Sequence, residues 1–535
     1  MHRDIAFPEN LECSPSCPFV SELLAEISQL EQQLEEKDAI IEKLKGSLKN
    51  QLSDRFAKKS EKKEYIDIEK NIDKPDIKSK EESETDSNKP DLQVVPKSKR
   101  KITPHARRIP DNLPIIEIVH ELPPEDRTCK ICQKAYRETA LTEESTEIDI
   151  EIKILRKKHV RKIYAKTCQC DETQSMVVAP KPENIIYKSL YSTRLWVLLL
   201  VLKYHANIPL YRQITNIWSQ YGMSFSPSTI TGGFKKLGES LIPLYNKLIE
   251  VSKTEEHWHA DETRWKVFTE NPGKKTNNWW MWVFASVNVV VYILDRTRSS
   301  SVPQKHLGNS SGIINVDRYS AYYILAQTIK RALCWYHCRR DFIKAAIAFP
   351  EIKSWALEWL RKIRELEKIN DKRVFHLMDD EEFDKQHTLL LEQLAAMKKS
   401  SEEELLKNTL KDKQRSVLKS LLKNWESLTV FVSNPLVPMH NNKAERFLRG
   451  LALSRKNFYG SRSEWSGDLA AMCMSICKTA EIHGLNPQAY IEFYFKRFAE
   501  SNSGATIDIE PLLPWNISDE VADSHNLRIA EAKTG

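Results

Sequence analysis

Three acidic positions stand where a folded chain has little structural use for them. Asp261 and its neighbour Glu262 interrupt HWHADETRWKVF, a run of bulky strand formers. Asp317 closes the apolar run GIINV, and Glu445 lies one helical turn past Asn441 in HNNKAERFLRGLALSRKN. Carboxylates on rigid elements are what phosphodiester chemistry requires. An attacking oxygen must be activated and an in-line phosphate neutralised, and two divalent ions about 4 Å apart do both. Magnesium prefers hard oxygen ligands, so such a centre is built from Asp and Glu rather than from His or Cys. Strand alternation puts His257, His259, Asp261 and Thr263 on one face and Trp258, Ala260, Glu262 and Arg264 on the other. Periodicity alone does not choose between Asp261 and Glu262. Asp317 sits at the C-terminal end of a strand, where α/β sheets place their sites. Arg446, Arg449, Arg455 and Lys456, on the helix of Glu445, suit phosphate groups. Taken singly, each acid is more often a solvated or salt-bridged residue, and the spacing of the three decides nothing.

The cysteines offer a second chemistry. Ten of them fall in five close pairs, at positions 13 and 17, 129 and 132, 168 and 170, 334 and 338, and 473 and 477. The N-terminus has no apolar export segment, so metal ligation or burial is expected rather than a disulfide framework. Cys129-Lys-Ile-Cys132 and Cys168-Gln-Cys170 have the form of one four-thiolate structural zinc site. Cys334, His337 and Cys338 make an incomplete ligand set at a strand end. Cys473 and Cys477, one turn apart among Met472, Met474 and Ile476, read as core.

The elements that must hold these groups can be read in order. Residues 20–51 carry a heptad seam, with Val20, Ile27, Leu34, Ile41 and Leu48 at one position and Leu23, Leu30, Lys37, Leu44 and Gln51 at the other. Residues 1–52 are therefore expected to form a dimerising coiled coil. Residues 53–104 are rich in Lys, Glu, Asp, Ser and Pro and form a charged linker that cannot bury enough apolar area to order itself. Its basic end, KSKRKITPHARR, suits a phosphate backbone. Residues 105–182 show short alternating stretches and are expected to be a small β-rich unit around the cysteines. Residues 183–254 are helical, with Ser226 as N-cap, Pro227 at the first helical position and the outline of a helix-turn-helix. Residues 255–480 form a mixed α/β domain interrupted by a charged, all-helical insertion at about 340–432. A helical extension at 481–500 and a polar tail at 501–535 follow. The tryptophans of NWWMWVF serve mainly the two faces of the sheet.

At 535 residues the chain exceeds one hydrophobic core. Lys and Arg exceed Asp and Glu, 81 to 74, a net charge of +7 that permits nucleic-acid binding without requiring it. No apolar stretch is long enough to span a bilayer, so a cytoplasmic location is expected.

The segments FAKKSEK, HARRIPDNLPIIEIVHELP, HADETRW, VDRYSAY, CWYHCRRDF, NNKAERFLRGLALSRKNFYGS and IHGLNPQAYI, in this order, resemble the IS66 family of bacterial insertion-sequence transposases, DDE enzymes. The resemblance covers nearly everything but the linker and tail. It implies an α/β RNase H-like catalytic domain with Asp261, Asp317 and Glu445 as catalytic carboxylates, and two Mg²⁺ or Mn²⁺ ions per active site held by them. It also implies one structural Zn²⁺ on Cys129, Cys132, Cys168 and Cys170. The activity implied is cleavage at the ends of a mobile element followed by strand transfer to target DNA, in a nucleoid-associated homodimer or higher oligomer, with accessory proteins of the same element as further partners. The DNA-facing residues expected are Arg107, Arg108, Arg156, Lys157, Lys158, Arg161 and Lys162 around the zinc unit, Lys235 and Lys236 on the second helix of the helix-turn-helix, and Arg449, Arg455 and Lys456 beyond Glu445. Many DDE enzymes carry a cation about two turns after the Glu, where this chain has Leu451 and Ala452. The alternatives are a transposase-derived DNA-binding protein without chemistry and an RNase H-like nuclease without strand transfer.

Overall fold

A computed structural model of the chain describes residues 115–138, 143–168, 174–181, 184–269, 277–325, 327–501 and 507–529, together with Gln29, Leu30, Gln33 and Lys37. Those last four are helical and exposed. The rest of the heptad seam, the linker at 53–104 and the basic Arg107 and Arg108 lie outside the described residues. The chain divides into two compact units, one of them comprising residues 78–182, 220–222 and 529–535.

In this smaller unit, β1 (Ile163–Ala165) and β2 (Met176–Val178) pair antiparallel with Tyr164 opposite Val177. An isolated bridge joins Thr128 to Ala135 and closes a loop around Cys129-Lys-Ile-Cys132. Cys129 N–H donates to the Lys134 carbonyl (2.9 Å), and Gln133 reverses the chain with a left-handed backbone, φ 61°. The alternating stretches IIEIVHEL and TEIDIEIKIL form no strand among the described residues, and Ile115, Ile118, Ile150 and Ile152 are exposed. A period of two gives a strand one apolar face, but only a paired edge satisfies its backbone.

The larger unit begins with α1 (Thr193–Tyr204), capped by Ser192, and α2 (Pro227–Thr254), preceded by Ser226. Gly222, at φ +70°, ends the helical run before α2. Gly232 and Gly233 make the start of α2 a weak helix by propensity, yet it runs 28 residues. Packing is the reason. A Cβ on Gly233 would fall 2.2 Å from the Trp196 indole of α1, so the two helices meet at a distance only glycine allows. Ile230, Phe234, Leu237 and Leu241 of α2 are buried, while Lys235 and Lys236 are exposed.

A five-stranded mixed sheet follows. It contains β3 (His257–Lys266), β4 (Asn278–Ala285), β5 (Val290–Asp295), then α3 (Ser301–Leu307), β6 (Gly312–Val316) and β7 (Ile329–Leu333). The order across the sheet is β5-β4-β3-β6-β7, with β3, β4 and β5 antiparallel and β3, β6 and β7 parallel. Both faces are covered, so β4 is apolar at nearly every position: Trp279, Met281 and Val283 enter one core, Trp282 and Phe284 the other.

After β7 come α4 (Trp335–Ala348), α5 (Lys353–Phe375), α6 (Asp380–Leu405) and α7 (Asp412–Lys423), all helical as expected for the insertion. Arg373, fully buried, donates to the carbonyls of Phe431 (2.8 Å) and Val432 (3.0 Å) and so ties α5 to the chain returning to the sheet. The return is α8 (Asn442–Phe458), followed by α9 (Glu464–Ile482) and α10 (Pro487–Glu500). Helix α9 covers the edge strand β5. Its buried Ser475 and Thr479 hydroxyls accept from the backbone N–H groups of Tyr292 (2.8 Å) and Val290 (3.1 Å), so these edge donors are not open to another strand. Cys473 and Cys477, on the same helix, are core. Among the described residues, no helix is long and apolar enough to cross a membrane.

Candidate active site

The site arises from a mismatch in strand length. β3 pairs with β4 from His259 to Lys266 but with β6 only from His257 to His259, so past His259 the β6 side of β3 has no partner strand among the described residues. Asp261 lies just beyond that point, and Asp317 directly follows the last residue of β6. Each accepts one backbone hydrogen bond, Asp261 from Glu262 N–H (2.8 Å) and Asp317 from Tyr319 N–H (2.9 Å).

Glu445 arrives on the first turn of α8, which is fastened to β3 by a polar cluster. The Asn441 side-chain amide donates to the Ala260 carbonyl (2.7 Å), and its oxygen pairs with His259 Nδ1 (3.1 Å). His257 Nε2 contacts the Asn315 side-chain oxygen (2.6 Å), whose amide donates to the Pro438 carbonyl (2.8 Å). Lys443 donates to the Ser286 carbonyl (2.5 Å). Burial, chiefly, pushes His259 down to about 3, so its imidazole is neutral near pH 7 and accepts or donates by tautomer alone.

The electrostatics show that the three carboxyls share one field. Asp261 is pushed up to about 7, first by burial, then by repulsion from Glu262, Asp317 and Glu445. Glu262 is otherwise occupied. Arg298 Nε donates to its Oε1 (2.7 Å), a second guanidinium N–H reaches the same oxygen, and the Tyr322 hydroxyl donates to Oε2 (2.7 Å). Tertiary pairing therefore separates two adjacent acids that alternation could not. The Glu262 carboxylate is engaged by Arg298 and Tyr322, whereas Asp261 has, among the described residues, only the backbone hydrogen bond and is repelled by both Asp317 and Glu445.

Arg298 is a site residue that sequence reading missed. Its guanidinium lies 3.8 Å from the Tyr319 ring centroid and 4.8 Å from that of Trp280, and the Tyr319 hydroxyl donates to its carbonyl. It thus links β3 to the turn that carries Asp317. A buried acid beside a strand-end acid was the available signal, since such a group demands a cation.

Cys334 and His337 also come to this place. Cys334 directly follows β7 and precedes α4, and its N–H donates to the Val316 carbonyl (3.1 Å). One donor atom each of Cys334, His337 and Glu445 lie within 4.8 Å of one another. Cys338, which the sequence grouped with them, is buried in the core beneath α4 instead.

The expected cations sort by helix geometry. Arg449, one turn past Glu445, and Lys456, three turns past it, are exposed and share its face of α8. Arg455 instead donates to the Arg264 carbonyl (2.8 Å). In the smaller unit, Arg156, Lys157, Lys158 and Lys162 are exposed, and Arg161 donates to the Ala179 carbonyl (2.6 Å). Of the four zinc-type cysteines, Cys170 lies outside the described residues. Cys129 is pushed down to about 7, above all by the backbone N–H groups of Cys132 and Ile131, which turn toward its sulfur.

With this geometry in place, comparison with known proteins is direct: residues 188–469 match the family described as "Transposase IS66 family". The chain belongs to the IS66 transposase family. The matched span contains all three carboxylates and the whole helical insertion, and ends within α9. This IS66 chain is also similar to uncharacterized proteins of Sinorhizobium fredii. It is 28% identical to y4jD over 432 residues, covering 76% of this chain and 81% of that protein. It is 28% identical to y4qI over 360 residues, covering 64% and 65% respectively. With y4hP the identity is 24% over 440 residues, covering 76% of each.

Proposed function

We propose that this IS66 transposase is a DDE enzyme that binds the terminal inverted repeats of its element, cleaves the DNA at the ends and joins them to a target. The observation that supports this reading is that Asp317 and Glu445 both repel the Asp261 carboxylate at the open side of β3, while Arg298 and Tyr322 occupy the neighbouring Glu262. The order β5-β4-β3-β6-β7, with β3, β4 and β5 antiparallel, β3, β6 and β7 parallel, Asp261 midway along β3 and Asp317 just after β6, supports an RNase H-like reading of the sheet.

The residues present suit divalent ions. Among the described residues, the carboxylates of Asp261 and Asp317 make only the one backbone hydrogen bond each, and Glu445 makes none. The mutual repulsion that raises Asp261 is what a bound cation offsets. Asp261, Asp317 and Glu445 would hold two Mg²⁺ or Mn²⁺ ions, which supply activation of water or a 3′-hydroxyl and charge neutralisation on the phosphate. The chain does the rest by positioning. Asn441 holds Glu445 against β3, Arg298 and Tyr319 hold the Asp317 turn, and Arg449 reaches the phosphate from the Glu445 face.

The knuckle-like turn at Cys129 and Cys132, with N–H groups directed at sulfur, supports this pair as half of a structural Zn²⁺ site; Cys168, which the structure does not gather with them, and Cys170 would complete it. This unit, with Lys157, Lys158 and Arg161, would read the repeats. Residues 20–51 would pair two chains.

The experiment is Mg²⁺- or Mn²⁺-dependent nicking of duplex DNA carrying the element's ends, followed by joining to a second duplex. Asp317→Ala is expected to abolish both. Unchanged nicking in Asp317→Ala would overturn the assignment, and nicking without joining would make the protein a nuclease.

A further inference from the structure

We propose that Cys334, His337 and Glu445 form a second cation site, selective for a thiophilic divalent ion such as Zn²⁺, which takes Glu445 away from the other two carboxylates and switches the centre off. This rests on the function proposed above only in treating Glu445 as one of the catalytic acids.

The donor chemistry comes first. A sulfur, an imidazole nitrogen and a carboxylate oxygen converge within 4.8 Å of one another. That is the ligand set of zinc, and the wrong set for magnesium, which takes oxygen and leaves thiol and imidazole alone. Asp261 on β3 and Asp317 after β6 offer only oxygen. One acid therefore belongs to two sites of opposite preference.

The frame is rigid. Cys334 is buried, its sulfur accepts Asn441 N–H (3.3 Å), as metal-bound thiolates do, and its own N–H is held by Val316. Trp335 N–H donates to the Met439 carbonyl (2.8 Å), which fixes the start of α4 to the segment leading into α8. The His337 carbonyl accepts from Arg318 (3.0 Å), and Arg318 is itself paired with Asp341 (2.6 Å) and donates to Ser420 (2.8 Å). Finally, His337 Nδ1 is buried with no hydrogen-bond partner among the described residues. His337 as a whole is half-buried, which leaves room for a water as fourth ligand. On binding, Zn²⁺ replaces the Cys334 thiol proton, which is released to solvent. For a given nitrogen, oxygen and sulfur site zinc outbinds magnesium, so trace Zn²⁺ would compete at Glu445 against millimolar Mg²⁺.

The test uses the full chain without DNA. The protein is dialysed to equilibrium against buffered Zn²⁺, and zinc per chain is counted by mass spectrometry of the metal. Wild type is compared with Cys334→Ser, His337→Ala, Glu445→Gln and, as a control for the cysteine-rich unit, Cys129→Ser. Circular dichroism checks folding, and Cys334→Ser keeps the buried shape. The expected result is loss of one zinc equivalent in each of the first three variants, and loss of a different, tighter equivalent in Cys129→Ser. Equal zinc in wild type, Cys334→Ser and His337→Ala would overturn the site. Full zinc in Glu445→Gln alone would overturn the sharing of Glu445. In the nicking assay, wild type is expected to lose at least tenfold activity when the second equivalent fills, with recovery on chelation; equal rates would overturn the switch. Persistent nicking by Asp317→Ala sinks the catalytic reading and leaves the zinc count untouched, so the two failures are distinct.

Discussion

The side-chain amide of Asn441 donates to the carbonyl of Ala260 across 2.7 Å, joining the residue before α8 to the residue before Asp261. Glu445 follows one turn later. A buried asparagine, itself 1% exposed, is therefore one of the ties that hold the helix of Glu445 against the strand of Asp261.

Replacing Asn441 with Ala leaves the Ala260 carbonyl and the His259 ring without their partners. Two buried hydrogen bonds are lost, and a cost of about 1–3 kcal/mol is expected in denaturant unfolding. Mg²⁺-dependent nicking should fall by more than tenfold at a temperature where the variant is folded, because Glu445 loses its register. A folded variant with wild-type nicking would show that α8 is positioned by other means.

Arg298→Ala strands Glu262, whose side chain is fully buried. Losing one partner of such a pair should destabilise the protein by about 3 kcal/mol, the low end for a buried pair because Arg298 is 37% exposed. The double variant Arg298→Met, Glu262→Met removes both charges and should recover much of that loss. Thermal unfolding of the single and double variants decides whether the pair is the reason.

Arg449 and Arg455 should behave differently. Arg449 is exposed on the Glu445 face, whereas Arg455 holds the Arg264 carbonyl. Arg449→Ala is expected to slow nicking at saturating DNA by tenfold or more with unchanged melting. Arg455→Ala should lower the melting temperature and leave most of the turnover. The reverse pattern would assign the phosphate contact to Arg455.

Acid should weaken the fold through His306. This ring is 4% exposed, lies 3.1 Å from the Ser252 hydroxyl and packs against Phe284 at 4.5 Å between centroids. Burial, and then Lys253, push it from 6.5 down to about 3. Because the folded value is the lower one, the unfolded chain binds the proton first. The stability this neutral ring contributes is present above pH 6.5 and is lost as pH falls toward 3. About 2 kcal/mol should disappear between pH 7 and pH 5. Urea unfolding of wild type and His306→Gln across that range should show the acid limb flattened in the variant.

Much of this protein could be read in its residues. The strand pattern of β3 to β7, the helical character of the insertion and the core placement of Cys473 and Cys477 all follow from local periodicity, which needs no knowledge of partners. Density of matching segments identified the IS66 family. Elsewhere local signals were insufficient. Gly233 weakens a helix by propensity, but the facing Trp196 makes it necessary; the isoleucines of residues 115–155 alternate like strands, but no partner strand meets them among the described residues. Alternation also left Asp261 and Glu262 equivalent. Only the tertiary structure brought Arg298 and Tyr322 to one of them and left the other to the repulsion of Asp317 and Glu445, and moved Cys334 and His337 beside Glu445 while burying Cys338. A residue's type and its immediate neighbours are written in the chain, but the charge it faces comes from segments far away in sequence, and that depends on how the sheet and its helices pack.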